Sequence, residues 1–70
     1  MSELKITLKA ARVNADLTLD EAAEALHTTK QTLINYEKGS TSPTVDKLIE
    51  MCHLYKVRIE SILFLPKETN

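Results

Sequence analysis

The apolar positions of this chain recur every three or four residues, which is the spacing of one face of an α-helix. Leu8, Ala11 and Ala15 share such a face with Leu4, and they predict a first helix over about residues 4–14. Polar residues and cap-type residues interrupt the pattern at regular intervals further along the chain. The chain is therefore predicted to form several short helices and no strand.

A second helix is predicted over about residues 19–26. Thr18 and Glu21 have the spacing of a capping box, in which each side chain bonds the backbone amide of the other residue. The two following alanines are small enough to let another helix backbone approach closely. The inner positions of this helix are Ala22, Ala23 and Leu26.

A third helix is predicted from Lys30 to about Lys38. Thr29 stands at its start as a cap, and Gly39 follows its end, where a left-handed residue commonly terminates a helix. Its inner positions are Leu33 and Tyr36.

A fourth helix is predicted over about 45–55 after the cap Thr44, and a fifth over about 59–64, before Pro66. The expected inner positions are Val45, Leu48, Ile49, Cys52 and Tyr55, then Ile59, Ile62 and Leu63. We therefore predict an all-α domain of five helices over residues 1–65, with a polar tail over 66–70.

Composition narrows the class of protein. With 70 residues, 43% hydrophobic and 27% charged, the chain has room for one small globular domain. The longest apolar run, residues 62–65, is far shorter than the roughly 20 residues that cross a bilayer, and no signal peptide opens the chain. The single cysteine cannot form an internal disulfide, so we expect a cytoplasmic protein.

The second and third helices, joined by about three residues, have the arrangement of a helix-turn-helix. If Leu33 and Tyr36 face inward, polar side chains and one isoleucine face outward. Gln and Asn pair with adenine edges, Lys donates to guanine, and Ile contacts a thymine methyl group. The outward positions are Lys30, Gln31, Ile34 and Asn35.

At this point the chain resembles the lambda-repressor/Cro-like DNA-binding domains, the helix-turn-helix class often called the XRE family. The resemblance covers about residues 4–65. The residues that carry it are Leu8 and Arg12, Leu17, Thr18, Glu21 and Ala23, Thr29 through Glu37 with Gly39, Pro43, and Leu48, Ile49, Cys52, Tyr55 and Val57.

The resemblance implies roles for particular side chains. Arg12 and Glu37 match an ion pair that ties the first helix to the end of the recognition helix, although an ordinary exposed pair would contribute little. The four outward residues of the third helix match base-reading positions. The phosphate-contacting positions are Thr18, Thr29, Lys38, Ser40, Thr41 and Ser42.

The chain departs from the family pattern at four places. Leu19 stands where Gln usually contacts a phosphate, so one hydrogen bond is lost. Asp16, His27 and Lys56 stand where Gly is usual. If the backbone is left-handed there, a side chain such as that of His27 costs on the order of 1 kcal/mol.

The charge balance of the chain is weak for a DNA-binding protein. The formal net charge is −1, and residues 29–43 hold Lys30 and Lys38 against Glu37. Because each phosphate contact releases counterions, few basic residues predict modest non-specific affinity and a modest salt dependence.

Other chemistry is not supported by the residue spacing. His27, Cys52 and His53 fit no metal-ligand pattern, and Asp20, Glu21 and Glu24 are explained as cap and solvated surface. We therefore expect no enzyme activity, metal, cofactor, small-molecule substrate or membrane partner.

Phe64 and Leu65 exceed what one face of a short helix can bury. They form a possible dimer interface, or Phe64 folds back under the first helix. The expected function is sequence-specific binding to a double-stranded DNA operator as a homodimer, in a repressor of phage or mobile-element type. Two alternatives stay open: a protein-interaction module on the same scaffold, antitoxin-like or antirepressor-like, and an N-terminal domain of a longer repressor.

Overall fold

The computed structural model describes residues 5–63, which form four α-helices and one 3-10 turn. The helices are α1 (Leu8–Asn14), α2 (Leu19–Ala25), α3 (Lys30–Lys38) and α4 (Val45–Tyr55), followed by the turn Ile59–Ser61. The all-helical prediction is confirmed for this part of the chain. The predicted fifth helix over 59–64 is not found there, since a single 3-10 turn takes its place.

Every α-helix begins at a threonine whose hydroxyl accepts a hydrogen bond from the amide three residues later. The caps predicted at Thr18, Thr29 and Thr44 are confirmed, and Thr18 and Glu21 form the complete capping box. The cap of α1 is Thr7, so this helix begins at Leu8 and not near residue 4. These caps satisfy amides that have no partner within the helix.

Left-handed residues separate the helices. Asp16, His27 and Lys56 have φ angles of 63°, 57° and 60°, and Gly39 has a φ of 83°. These are the three positions where the family pattern has Gly, together with the one Gly of the chain. The left-handed backbone is thus retained although three of the four residues carry side chains, which raises the conformational energy at those turns.

One hydrophobic core lies between the helices. Its buried residues are Leu8, Ala11, Ala22, Ala23, Leu26, Leu33, Leu48, Met51, Cys52, Tyr55 and Ile62. Met51, which the sequence analysis did not place inside, is completely buried because it shares the stripe of Leu48 and Tyr55 along α4.

Four residues predicted to face the core are instead exposed: Val45, Ile49, Ile59 and Leu63. Val45 lies in the first turn of α4, near the edge of the core. Ile49 lies beside the stripe that Leu48, Met51 and Cys52 occupy. Helical spacing therefore predicts burial poorly for an apolar residue at the edge of a helical face, because other apolar residues occupy the centre of that face.

The end of the described chain pairs with its beginning. Ile6 and Ile62 form an isolated parallel bridge, in which the Ile6 amide donates to the Ser61 carbonyl (2.9 Å) and the Leu63 amide donates to the Ile6 carbonyl (2.7 Å). This pairing satisfies backbone groups that a fifth helix would have used. Within residues 5–63 no helix is long and apolar enough to cross a membrane.

Candidate nucleic-acid interface

Helix α3 is fixed to the domain by one side. Leu33 is completely buried in the core, and α3 packs against both α2 and α1. Tyr36 is half-buried against the same core. Because the inner side of α3 is held on two neighbouring helices, its outer side has a defined orientation.

Arg12 and Glu37 form a buried ion pair between α1 and α3. Arg12 Nε lies 2.7 Å from Glu37 Oε2, and Nη2 lies 3.3 Å from Oε1. The third donor, Nη1, bonds the Leu17 carbonyl at 2.8 Å. The side chains are only 9% and 8% exposed. The hydrogen bond to Glu37 raises the pKa of Arg12, against the opposing effect of burial. The pair joins α1, the α1–α2 loop and the end of α3.

Tyr55 lies next to this pair. Burial, helped by the negative charge of Glu37 and opposed by Arg12, raises the pKa of Tyr55 to about 12. The Tyr55 hydroxyl is buried and has no hydrogen-bond partner among residues 5–63. A buried hydroxyl without a partner destabilises the folded state.

A residue of α4, which is not part of the helix-turn-helix, also contacts it. Lys47 Nζ, on α4, donates to the Leu26 carbonyl at the end of α2 (2.8 Å) and contacts Glu50 at 3.2 Å. A cation at a helix C-terminus complements the exposed carbonyls and the helix dipole. No local sequence pattern predicts this contact, because 21 residues separate the two groups.

The predicted base-reading residues lie along one strip of α3. Lys30 and Gln31 are exposed, whereas Ile34 and Asn35 are half-buried. Gln31 Nε2 donates to Asn35 Oδ1 at 3.1 Å. The two amides are therefore coupled, and the contact leaves the Gln31 carbonyl and the Asn35 amide group available to another molecule.

A carboxylate lies near one of these residues. Asp20 Oδ1 is 4.0 Å from Lys30 Nζ, and both side chains are largely exposed. Asp20 lies in the first turn of α2, and its spacing in the sequence does not predict this contact. Its position next to Lys30 lowers the net positive charge at the start of α3.

Two predicted phosphate contacts, Thr18 and Thr29, are exposed helix caps. The Thr18 hydroxyl accepts from the Glu21 amide at 3.0 Å, so its own hydrogen is free to donate. The Thr29 hydroxyl lies 2.7 Å from that of Thr32, and either of them can be the donor. Thr18 therefore retains a donor for an anion, and Thr29 retains one when Thr32 is the donor in their contact.

The remaining predicted phosphate contacts lie in the loop after α3. Lys38, Ser40, Thr41 and Ser42 are exposed. The amides of residues 39–41 donate to carbonyls in the last turn of α3, at 3.0–3.5 Å. Because these three amides terminate the helix, the groups that remain to donate from residues 39–41 are the hydroxyls of Ser40 and Thr41.

The remaining residues considered in the sequence are the possible dimer interface and the histidines and cysteine examined for metal binding. Phe64 and Leu65, the possible dimer interface, lie outside the described residues. Cys52 is buried and its pKa is raised by burial, and His27 and His53 are exposed. No group of metal-ligating side chains occurs in residues 5–63.

Comparison with known proteins shows the family to which this chain belongs. The helix-turn-helix family model matches residues 8–62 of the chain. The chain belongs to the helix-turn-helix family. This family consists of DNA-binding transcription regulators and is not a class of enzymes.

A relative of this helix-turn-helix chain is the HTH-type transcriptional regulator ImmR of Bacillus subtilis (strain 168). The two sequences are 39% identical over 56 residues, which cover 80% of this chain and 44% of ImmR. The chain thus corresponds to less than half of the length of this relative. No solved structure gives a significant match.

Proposed function

We propose that the chain binds double-stranded DNA in a sequence-specific manner through α3, which enters the major groove. The observation that carries this proposal is the division of α3 into two sides. Leu33 and Glu37 are held by other helices, while Lys30 and Gln31 are exposed and share a polar strip with the half-buried Asn35, which Gln31 bonds. Such a strip carries the donors and acceptors that read base edges.

Within this proposal, Gln31 and Asn35 read bases as a coupled pair, Lys30 donates to a guanine, and Ile34 contacts a thymine methyl group. Thr18, Thr29 and the loop residues Lys38 and Ser40–Ser42 bind phosphates and fix the register of α3. We propose further that the chain acts as a transcriptional repressor of phage or mobile-element type. The family membership and the similarity to ImmR support regulation, while the biological context is our inference.

One copy of α3 covers too few base pairs for selective binding, so the proposed binding unit is a two-fold homodimer. Its two recognition helices would contact half-sites about 34–36 Å apart, one turn of DNA. Phe64 and Leu65 are the candidates for the contact between the copies.

The test is selection of binding sites from random duplex DNA at low salt, repeated at moderate salt. We expect a motif with two symmetric half-sites about one helical turn apart. A motif without symmetry would preserve DNA binding but remove the dimer. No enrichment at either salt would contradict the proposal.

A protein-interaction function is the second candidate. Ile49 and Ile59 are exposed and line an apolar groove with His53 and Val57, at the end of α4 and the segment that follows it. Salt dependence separates the two functions. DNA binding weakens as salt rises, with a modest slope for a chain with few basic residues, whereas apolar docking changes little.

A further inference from the structure

Asp20 is an acidic residue that the cap of α2 does not use. Glu21, the next residue, completes the capping box with Thr18. The Asp20 side chain is 79% exposed, and its carboxylate lies across the turn from Lys30 of α3, with 4.0 Å between Oδ1 and Nζ. A carboxylate that is not needed for the cap thus lies beside a proposed base-reading residue.

Lys30 lies at the start of α3, where the helix does not itself hold the ammonium group. It is the first residue of α3, and the first turn of this helix contains no acidic side chain. Because the start of a helix is electropositive, an ammonium group there is repelled by the helix and attracted to a nearby carboxylate. Lys30 is 55% exposed, and its four-carbon stem is flexible. Asp20 therefore favours one direction of the Lys30 side chain over the others.

Two kinds of acceptor compete for this ammonium group on DNA. Guanine N7 and O6 accept from lysine and carry sequence information, whereas backbone phosphates accept without carrying any. A phosphate is negatively charged and is repelled by a carboxylate, whereas the guanine edge is neutral. A carboxylate 4.0 Å from Lys30 Nζ thus disfavours a phosphate contact more than a base contact.

We propose that Asp20 is a positioning residue for Lys30, which keeps the ammonium group away from backbone phosphates and directs it to the base edge. The carboxylate lowers the affinity for DNA in general and increases discrimination at the base pair that Lys30 reads. Gln31 provides a comparison, since it is positioned by Asn35 of its own helix, at 3.1 Å, and not by an acid. This inference rests on the proposed DNA-binding function.

The test measures discrimination, which is the Kd for a duplex with one substituted base pair divided by the Kd for the selected duplex. Lys30→Met identifies the base pair that Lys30 reads, because discrimination is lost there. Asp20→Asn should tighten binding to both duplexes, but more to the substituted one, so that discrimination at this base pair falls about fivefold. It should not change discrimination at the base pair that Gln31→Ala identifies. Fluorescence anisotropy measures each Kd.

Salt dependence gives a second measurement. On the duplex substituted at the Lys30 base pair, release of Lys30 to a phosphate should steepen the slope of log affinity against log salt by about 0.9 in Asp20→Asn. On the selected duplex the slope should change less. A purely structural role of Asp20 would not change discrimination at a single base pair.

Glu24→Gln is the matched control, because it removes another exposed acid of α2 and should leave discrimination unchanged. Three results would each overturn this assignment while leaving DNA binding intact: unchanged discrimination at the Lys30 base pair in Asp20→Asn, an equal fall at every base pair, or no base pair identified by Lys30→Met. A wild-type chain that binds no duplex would overturn the proposed function and this assignment together.

Discussion

The two sides of α3 differ in what holds their side chains. On the inner side, Leu33 is enclosed by the core, and Glu37 is bound by an arginine of α1. On the outer side, Gln31 bonds only Asn35 of the same helix, and Lys30 has a distant contact with Asp20. A helix of nine residues thus separates the groups that maintain the fold from those that are free to contact another molecule. Substitutions on the two sides should therefore have different consequences.

The largest expected effect is on the inner side. Glu37→Ala leaves the Arg12 guanidinium buried without its counter-charge, which should lower the free energy of unfolding by about 3 kcal/mol. Urea denaturation followed by circular dichroism measures this change. The double variant Arg12→Met/Glu37→Leu should recover most of the loss, because it buries no charge. An unchanged urea midpoint for Glu37→Ala would show that the pair does not hold α3.

The outer side should show the opposite behaviour. Gln31→Ala should weaken binding to the selected duplex by about 1–3 kcal/mol and relax specificity at one position, with no change in the melting temperature. Because Gln31 bonds Asn35, the effects of Gln31→Ala and Asn35→Ala should not add in the double variant. Fluorescence anisotropy on cognate and single-mismatch duplexes measures both effects. If Gln31→Ala weakens all sequences equally, Gln31 does not read a base.

Tyr55, on α4, lies next to the buried Arg12–Glu37 pair, and its substitution tests how these buried groups affect stability. Its buried hydroxyl has no partner in the described chain, so Tyr55→Phe should raise the free energy of unfolding by about 1 kcal/mol at neutral pH. The pKa of Tyr55 is about 12 in the fold, against about 10 when unfolded. The folded state therefore holds its proton more strongly, and the resulting stability is present below pH 10 and is lost as the pH rises from about 10 to 12.

Urea denaturation of the wild type, Tyr55→Phe and the control Tyr36→Phe across this alkaline range measures the effect. Wild type and Tyr36→Phe should lose this increment of stability, and Tyr55→Phe should not. An equal alkaline loss in Tyr55→Phe would mean that other groups are responsible.

A smaller effect is expected at the turn between α2 and α3. His27 has a φ of 57°, which Gly adopts without strain, so His27→Gly should stabilise the chain by about 0.5–1 kcal/mol. Ala25→Gly is the matched control, because residue 25 is helical and Gly should destabilise it by a similar amount. Thermal melting distinguishes the two. Destabilisation by both variants would indicate that the His27 side chain makes a stabilising contribution of its own.

The smallest expected effect concerns the charge near Lys30. Asp20→Asn removes a carboxylate 4.0 Å from the ammonium group, and should tighten DNA binding by about two- to fivefold. Glu24→Gln, another exposed acid of α2, serves as the control and should change affinity less. Equal gains from both would indicate a general charge effect with no specific release of Lys30.

The sequence predicted the local features of the fold well. Thr18, Thr29 and Thr44 were identified as caps because a capping hydroxyl acts within three residues. The left-handed turns at Asp16 and Lys56 followed from the family resemblance. The bridge between Ile6 and Ile62 was missed, because it joins distant segments through backbone groups that every residue carries.

The sequence predicted only part of the candidate site. The strip on α3 followed from helical spacing, whereas the pairing of Arg12 with Glu37 came only from the resemblance, since 25 residues separate them. The contacts of Lys47 with Leu26 and of Asp20 with Lys30 depend on how helices pack. No spacing rule specifies such contacts.

The central claim is that the outer side of α3 contacts base edges in the major groove. Intermolecular nuclear Overhauser effects between the labelled chain and the selected duplex test it most directly. We expect contacts from the Gln31 and Asn35 side-chain amides and the Ile34 methyl groups to major-groove base protons. Contacts confined to α4, with none from α3, would contradict the account.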